Sequence, residues 1–200
     1  MIGFIMSGDA LKHSLRQEIL KQRNALSLKE KKKRSYAVIE RFMGNVPFEK
    51  KDIIGAYYPL GHEVDIKLML PTLQEKGYRV ALPCIIEKDA PMIFRNFTHE
   101  SDLISHSLFR IWEPPATHTE LFPTIITIPL AVCDEHGNRI GFGGGYYDRT
   151  LPRLAQRHPI LTVGIAYDFQ VIAYVPSEPH DYPLDCIITD KRVILCNNTS

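Results

Sequence analysis

The chain is expected to fold as an α/β domain around a mostly parallel sheet, and three observations carry that expectation. Apolar runs of strand length alternate with segments of helical period. The runs at 124–132 (TIITIPLAV) and 161–167 (LTVGIAY) are apolar throughout, as strands covered on both faces must be. No repeat, low-complexity tract or linker interrupts the 200 residues, so residues 1–200 read as one domain, with N-terminal helices over about 8–43 packed on the sheet.

The elements follow in order. Residues 9–25 carry Leu11, Leu15 and Ile19 at fourfold spacing and form a helix, capped by Ser7 or Asp9. Ser27-Leu28-Lys29-Glu30 is a capping box. The helix it opens runs through Tyr36, Val38, Ile39 and Phe42 and stops at Gly44. Residues 53–58 (IIGAYY) are a strand ended by Pro59-Leu60-Gly61. Residues 65–76 are a helix that Pro71 kinks or interrupts and Gly77 closes. Residues 79–83 (RVALP) form the next strand, and 91–98 alternate as a hairpin or edge strand. Between 100 and 123, a stretch rich in polar residues and proline, only 108–112 is strand-like. The 124–132 run is a central strand, 147–156 a helix, 161–167 a buried strand, and 186–189 the last strand.

Composition narrows the function. The formal net charge is +1, so no overall field draws in nucleic acid. The longest apolar runs fall well short of the ~20 residues that span a bilayer. The opening MIGFIMSG lacks a basic n-region, so a cytoplasmic protein is expected, with Met6 as an alternative start. Cys84, Cys133, Cys186 and Cys196 have neither zinc-ligand nor CxxC spacing. The first three lie at apolar runs and read as small buried hydrophobes.

The segment after the 124–132 strand concentrates the chemistry. Gly141, Gly143, Gly144 and Gly145 permit φ > 0, so backbone N–H groups can converge on an anion. The segment runs into a helix whose N-terminus favours phosphate. Arg139 and Arg149 supply positive charge, and Asp148 is a candidate Mg²⁺ ligand. Neither Walker A nor G-x-G-x-x-G is present. Ligands of such sheets sit beyond the strands' carboxyl ends, which singles out Glu63 after IIGAYY. Glu63 is either a partner for the N–H groups of a heterocycle or, with Asp65, a helix N-terminal acid. Asp181 is a second carboxylate that could face a metal, and His180 is an acid–base group or a solvated loop residue. No Ser or Cys lies in a nucleophile elbow. The N-terminal 34 residues hold nine Lys or Arg against three acids, mainly a solvated helix face. Lys12 and Arg16 differ, because at i and i+4 they share a face and can jointly grip a phosphate tail.

Together these residues resemble the 5-formyltetrahydrofolate cyclo-ligase family. The resemblance runs from Lys12 to about Asp190. K-x-x-x-R is Lys12 and Arg16, followed by Arg23 and the R-x-x-L-S phrase ending at Ser27. Y-x-P-x-x-x-E-x-D is Tyr57, Pro59, Glu63 and Asp65, and G-x-R-[VI]-x-x-P is Gly77, Arg79, Val80 and Pro83. The long signature D-x-x-G-x-R-[LI]-G-[YF]-G-x-G-Y-Y-D-R spans Asp134 to Arg149 without a gap, with Phe142 at a position more often Tyr. His180 and Asp181 match the HD before the final strand.

The resemblance implies an ATP- and Mg²⁺-dependent cyclisation of 5-formyltetrahydrofolate to 5,10-methenyltetrahydrofolate. A phosphorylated formyl intermediate precedes ring closure, and ADP and phosphate are released. It implies ATP bound by Lys12, Arg16, Arg139, Gly141, Phe142, Gly143, Gly144, Gly145, Tyr146 and Tyr147. The reduced folate would meet Tyr58, Glu63, Phe142, the glycines and Tyr146, with Mg²⁺ on Asp148 and Asp181. Arg139, Tyr146 and Asp148 would be catalytic, and Asp148→Ala is expected to abolish Mg²⁺-dependent ATP use while leaving the fold intact. The implied fold is a three-layer α/β/α arrangement like the phosphosugar isomerase and CoA-transferase group, in a monomer or weak dimer without nucleic-acid or membrane partners. Three rival readings are a paralogue that binds nucleotide or folate without ring closure, a sugar-phosphate isomerase or CoA-transferase, and an RNA-binding module.

Overall fold

The computed structural model describes residues 8–106 and 111–196. Helix α1 (Gly8–Asn24) has Asp9 in its first turn and Lys21 and Arg23 in its last, charges that suit the helix dipole. Its expected Ser7 cap lies outside the described residues. Ser27 caps α2 (Leu28–Asn45): its hydroxyl accepts the Glu30 N–H while the Glu30 carboxylate accepts the Ser27 N–H. The helix does not stop at Gly44. It runs to Asn45, and Val46 closes it by donating its N–H to the Phe42 carbonyl.

Strand β1 (Ile53–Gly55) is shorter than the 53–58 run, because the chain leaves the sheet just after Ala56 donates to the Ala81 carbonyl. The helix expected over 65–76 begins only at Met69, as α3 (Met69–Glu75). Pro71 therefore falls in the first turn, where its missing N–H has no intrahelical partner to lose. Gly77 follows at φ +88°, a conformation that favours glycine. Strands β2 (Arg79–Cys84) and β3 (Ile93–Asn96) pair antiparallel, as the alternation at 91–98 suggests. Strands β4 (Ile104–Ser105) and β5 (Trp112–Glu113) form a separate two-stranded ribbon. Most of the strand-like 108–112 run lies outside the described residues. Strand β6 (Glu120–Leu121) extends the main sheet beside β3.

The 124–132 run is two strands, not one. β7 (Ile125–Pro129) ends at a residue with no N–H to donate, and β8 (Val132–Asp134) belongs to another sheet. Next come β9 (Arg139–Ile140), α4 (Tyr146–Ala155), β10 (Leu161–Ile165), β11 (Val171–Ile172) and β12 (Cys186–Ile188). β12 is not the last strand. The Thr189 hydroxyl accepts N–H bonds from Lys191 and Arg192, turning the chain back into antiparallel β13 (Val193–Leu195).

Among the described residues the main sheet runs β13-β12-β10-β7-β1-β2-β3-β6. Its five inner strands, β12 to β2, are parallel, and the antiparallel strands sit at the edges. Alternation along β7 sends Ile125 to one face and Ile126 and Ile128 to the other. The first face packs Val38 and Phe42 of α2 with Met69, Leu70 and Leu73 of α3; the second packs Leu151 and Leu154 of α4. Phe42 is fully buried, so truncation to Ala would cost about 3–5 kcal/mol. A smaller sheet, β11-β8-β9, packs Val132 and Ile140 against Ile19 of α1. All four cysteines are free, with Cys84, Cys133 and Cys186 buried as expected.

This topology places a ligand crevice. From β1 the chain steps to β2 on one side, whereas β7, β10 and β12 build outward on the other. Strands β1 and β7 are neighbours, and their carboxyl ends diverge into the residues after each strand.

Candidate active site

The hairpin after β8 builds one wall of that crevice. Asp134 is fully buried and accepts the N–H groups of His136 (3.0 Å), Asn138 (3.0 Å) and Val175 (2.9 Å). Gly137, at φ +87°, lies so close to Leu184 that a Cβ would stand 2.5 Å from its carbonyl oxygen. These two residues fix the turn, and the turn fixes Arg139. The Arg139 side chain donates to the Tyr182 carbonyl and, at 2.5 Å, to Asp148 Oδ1. Asp148 also accepts the Tyr182 N–H at 3.1 Å. Arg139 thus ties β9 to α4 and to the segment before β12.

The glycine segment follows. Gly143 (φ +97°) and Gly145 (φ +61°) take left-handed backbone, and Gly145 is the N-cap of α4. No side chain caps that helix, and its dipole favours an anion above the loop. Arg16 donates from Nε to the Gly141 carbonyl at 2.8 Å, and Arg149 to the Gly144 carbonyl at 2.6 Å. The Arg149 guanidinium also stacks 5.0 Å from the Tyr146 ring centre.

Cations gather on the α1 side of the loop. Lys12 pairs with Asp181 (2.7 Å) and Glu178 (3.4 Å). Burial pulls the Lys12 pKa down, but the Asp181 bond and the charges of Asp181 and Glu178 outweigh it and raise it above the ordinary lysine value. Burial likewise opposes ionisation of Asp181, yet the Lys12 bond, the Glu178 N–H and the charges of Lys12 and His180 hold its pKa low. His180 is exposed and lies 3.3 Å from Glu178, so the solvated-loop reading describes it. Asp185, by contrast, is structural: it accepts both the N–H and the hydroxyl of Thr162 at 2.7 Å.

A cavity of about 530 Å³, lined mainly by apolar groups such as Ile85, Met92 and Pro129, reaches the glycine loop and the first turn of α4. Glu63 is at its wall, 8% exposed, with Oε2 held by the Leu60 N–H at 2.8 Å. It lies six residues before α3, so it is not a helix-capping acid. Burial pushes its pKa above the usual carboxylate range, against the Leu60 N–H and the charges of Arg23 and Lys31. Tyr58 lines the cavity with its hydroxyl on Glu100 and its ring edge-to-face with Trp112, 6.5 Å between centres. Phe142, Gly144, Gly145, Tyr146 and Asp148 line it from the loop. Tyr147, expected among the nucleotide residues, lines this cavity, and its buried hydroxyl has Glu63 and Arg139 as charged neighbours.

One lining residue had no role in the sequence reading. Arg23 is 7% exposed, and its guanidinium lies 5.2 Å from the Phe142 ring centre. The signal was present: residues 12, 16, 19 and 23 share one face of α1, so Arg23 continues the line of Lys12 and Arg16. As for a metal, no group of three or more His, Cys, Asp or Glu side chains is clustered for one among the described residues. Asp148 and Asp181 are each bound to a cation and border the same segment through Tyr182. No helix among the described residues is long and apolar enough to cross a membrane.

Residues 9–190 match the 5-formyltetrahydrofolate cyclo-ligase family. The 5-formyltetrahydrofolate cyclo-ligase of Escherichia coli K12 is 29% identical over 180 residues, covering 88% of this chain and 98% of that protein. The NMR structure of Aquifex aeolicus 5,10-methenyltetrahydrofolate synthetase superposes with a TM-score of 0.78 at 30% identity, covering 95% of each chain. The 5,10-methenyltetrahydrofolate synthetase of Mycoplasma pneumoniae gives 0.71 at 27% identity, covering 90% of this chain and 98% of that one.

Proposed function

The chain belongs to the 5-formyltetrahydrofolate cyclo-ligase family, and from that premise we propose that it closes the ring of 5-formyltetrahydrofolate to 5,10-methenyltetrahydrofolate using ATP and Mg²⁺. One observation carries this reading: the glycine loop and the first turn of α4, which no side chain caps, border both Arg16 of α1 and an apolar cavity that holds the buried carboxylate of Glu63. The helix N-terminus and the α1 cations suit a triphosphate, and the apolar cavity with its carboxylate suits a reduced pteridine.

The reaction needs that juxtaposition. An amide-like formyl oxygen is a poor leaving group, so in this reading it attacks the γ-phosphorus of ATP and ADP departs. N10 then adds to the activated formyl carbon, the phosphate leaves with the former formyl oxygen, and N10 loses its proton. No covalent bond to the protein is required, and the protein's contribution is positioning and charge stabilisation. Lys12 and Arg16 would neutralise phosphate oxygens, the first-turn N–H groups of α4 would hold them, and Glu63 would accept pteridine N–H bonds. Tyr146 and Phe142 would confine the folate, Tyr58 would flank it, and Arg139 would hold Asp148 in place until nucleotide and metal bind.

Magnesium carried with a nucleotide takes one or two protein carboxylates together with phosphate oxygens, and Asp148 and Asp181 are hard oxygen donors that fit this need. Bound there, it would offset charge on the transferring phosphoryl group. Lys12 and Arg139 would then exchange carboxylate partners for phosphate. The same reading has one α/β domain of the phosphosugar isomerase and CoA-transferase group, working in the cytoplasm as a monomer or weak dimer without nucleic acid or membrane.

Purified chain given 5-formyltetrahydrofolate, Mg²⁺ and ATP should develop the near-ultraviolet absorbance of methenyltetrahydrofolate, and omission of ATP or Mg²⁺ should abolish it. A folded protein that forms no product with all three present would overturn the activity.

A further inference from the structure

The cavity wall holds polar groups without partners. Arg23 Nε is sealed from solvent and has no hydrogen-bond partner, although the residue lines the cavity. Tyr147 lines the same cavity, and its hydroxyl is also sealed and unpartnered. Burial lowers the Arg23 pKa, and Glu63 is the charged neighbour that most opposes this. The Phe142 ring offers Arg23 its face but no acceptor atom. A desolvated guanidinium N–H without an acceptor is unfavourable in the empty protein and becomes favourable when a ligand brings one.

Resting on the folate reading above, we propose that Arg23 is a specificity-determining residue that donates a hydrogen bond to the 4-oxo oxygen of the pteridine. The chemistry of the ring edge dictates the pairing. A 2-amino-4-oxopteridine presents two donors, the 2-amino group and N3–H, beside one acceptor, O4. Glu63 supplies acceptors for the two donors, since each carboxylate oxygen has two lone-pair sites and Oε2 uses one on Leu60. Arg23, lining the same cavity beside Glu63, supplies the donor for O4. A 2,4-diaminopteridine presents an amino donor where O4 would be and an unprotonated N3 in place of N3–H, so it meets Arg23 donor to donor, leaves the guanidinium unpaired and offers Glu63 one donor fewer. A site built around a polar group rejects the analogue that cannot pair with it far more strongly than an apolar site can.

Trp112 is the sole tryptophan of the sequence and lines the cavity, so its fluorescence reports binding without turnover. Affinities for 5-formyltetrahydrofolate and for its 4-amino-4-deoxy analogue, measured without ATP, should favour the oxo compound in the unsubstituted chain. Arg23→Met should weaken the oxo compound by about 10–100-fold, the range of a hydrogen bond to a charged group, while leaving the analogue unchanged. Arg23→Lys, which keeps a donor, should restore part of the preference. The melting temperature of Arg23→Met should not fall, because an unpaired buried charge is replaced by an apolar chain of similar length. Equal weakening of both ligands, or a preference untouched by either substitution, would show that Arg23 only supports the loop and would overturn the inference. Should Arg23→Met fail to fold, the Arg23→Lys preference decides in the same way. An unsubstituted chain that binds neither compound would instead overturn the folate reading, and the inference with it.

Discussion

Removing the carboxylate of Asp148 tests the central clamp of the site. The Arg139 side chain is only 4% exposed, and Asp148 Oδ1 takes its Nη2 at 2.5 Å and the Tyr182 N–H at 3.1 Å. Charges about 4 Å apart attract by about 4 kcal/mol at an effective dielectric of roughly 20. Asp148 is 25% exposed, so solvent screening reduces this coupling to about 2–3 kcal/mol. Asp148→Ala leaves Arg139 with the neutral Tyr182 carbonyl as its partner and removes the acceptor for the Tyr182 N–H. It should therefore destabilise the protein by about 3 kcal/mol, whereas Asp148→Asn, which keeps an acceptor oxygen, should cost about 1–2 kcal/mol. This revises the expectation that Asp148→Ala leaves the fold intact: loss of activity in that variant would mix loss of a metal ligand with loss of the clamp. The assay is urea unfolding of Arg139→Met, Asp148→Ala and the double variant, with the coupling read from the cycle. A coupling below about 0.5 kcal/mol would refute the argument, because the two groups would then act independently.

Two other perturbations read the pteridine and phosphate parts of the proposed site. In the function proposed above, folate binding needs Glu63 as a carboxylate, and burial raises its pKa above the ordinary carboxylate value. Affinity for 5-formyltetrahydrofolate should rise with pH through that elevated pKa, with one proton released on binding below it; Glu63→Gln should bind weakly with no such dependence, and a wild-type profile in that variant would exclude Glu63. Gly143 sits at φ +97° with open space around it and the Arg16 guanidinium 3.9 Å from the position a Cβ would take. Gly143→Ala should therefore cost about 1–2 kcal/mol in backbone strain and raise the KM for ATP more than that for folate. The opposite ordering of the two KM values would place the phosphates elsewhere.

Several features of the site were legible locally because neighbouring residues impose them. The capping box at Ser27 and Glu30, the buried runs of β7 and β10, and the glycines before α4 depend on propensity, periodicity and chirality, which act over a few residues. Boundaries set by distant contacts were less legible. An apolar run through Pro129 reads as one strand, because burial in two different sheets leaves the same composition as burial in one. The three residues of β13 are too few for a period, and a side-chain-stabilised turn at Thr189 creates the strand. Glu63 carried two readings until the start of α3 at Met69 removed the capping one.

By itself the sequence determined a parallel α/β core, a glycine segment free to take left-handed backbone, and the set of charged residues available to a site, because these follow from side-chain chemistry and short-range geometry. It did not determine who pairs with whom. Lys12 and Asp181 are 169 positions apart, and Arg16 reaches Gly141 across 125. Only the folded chain decided that Arg139 holds Asp148, that Arg23 and Tyr147 end in the cavity with Glu63, and that the glycine loop borders that cavity. The physical reason is that such polar contacts have meaning only where burial removes water, and burial is a property of the packed sheet and helices rather than of any segment.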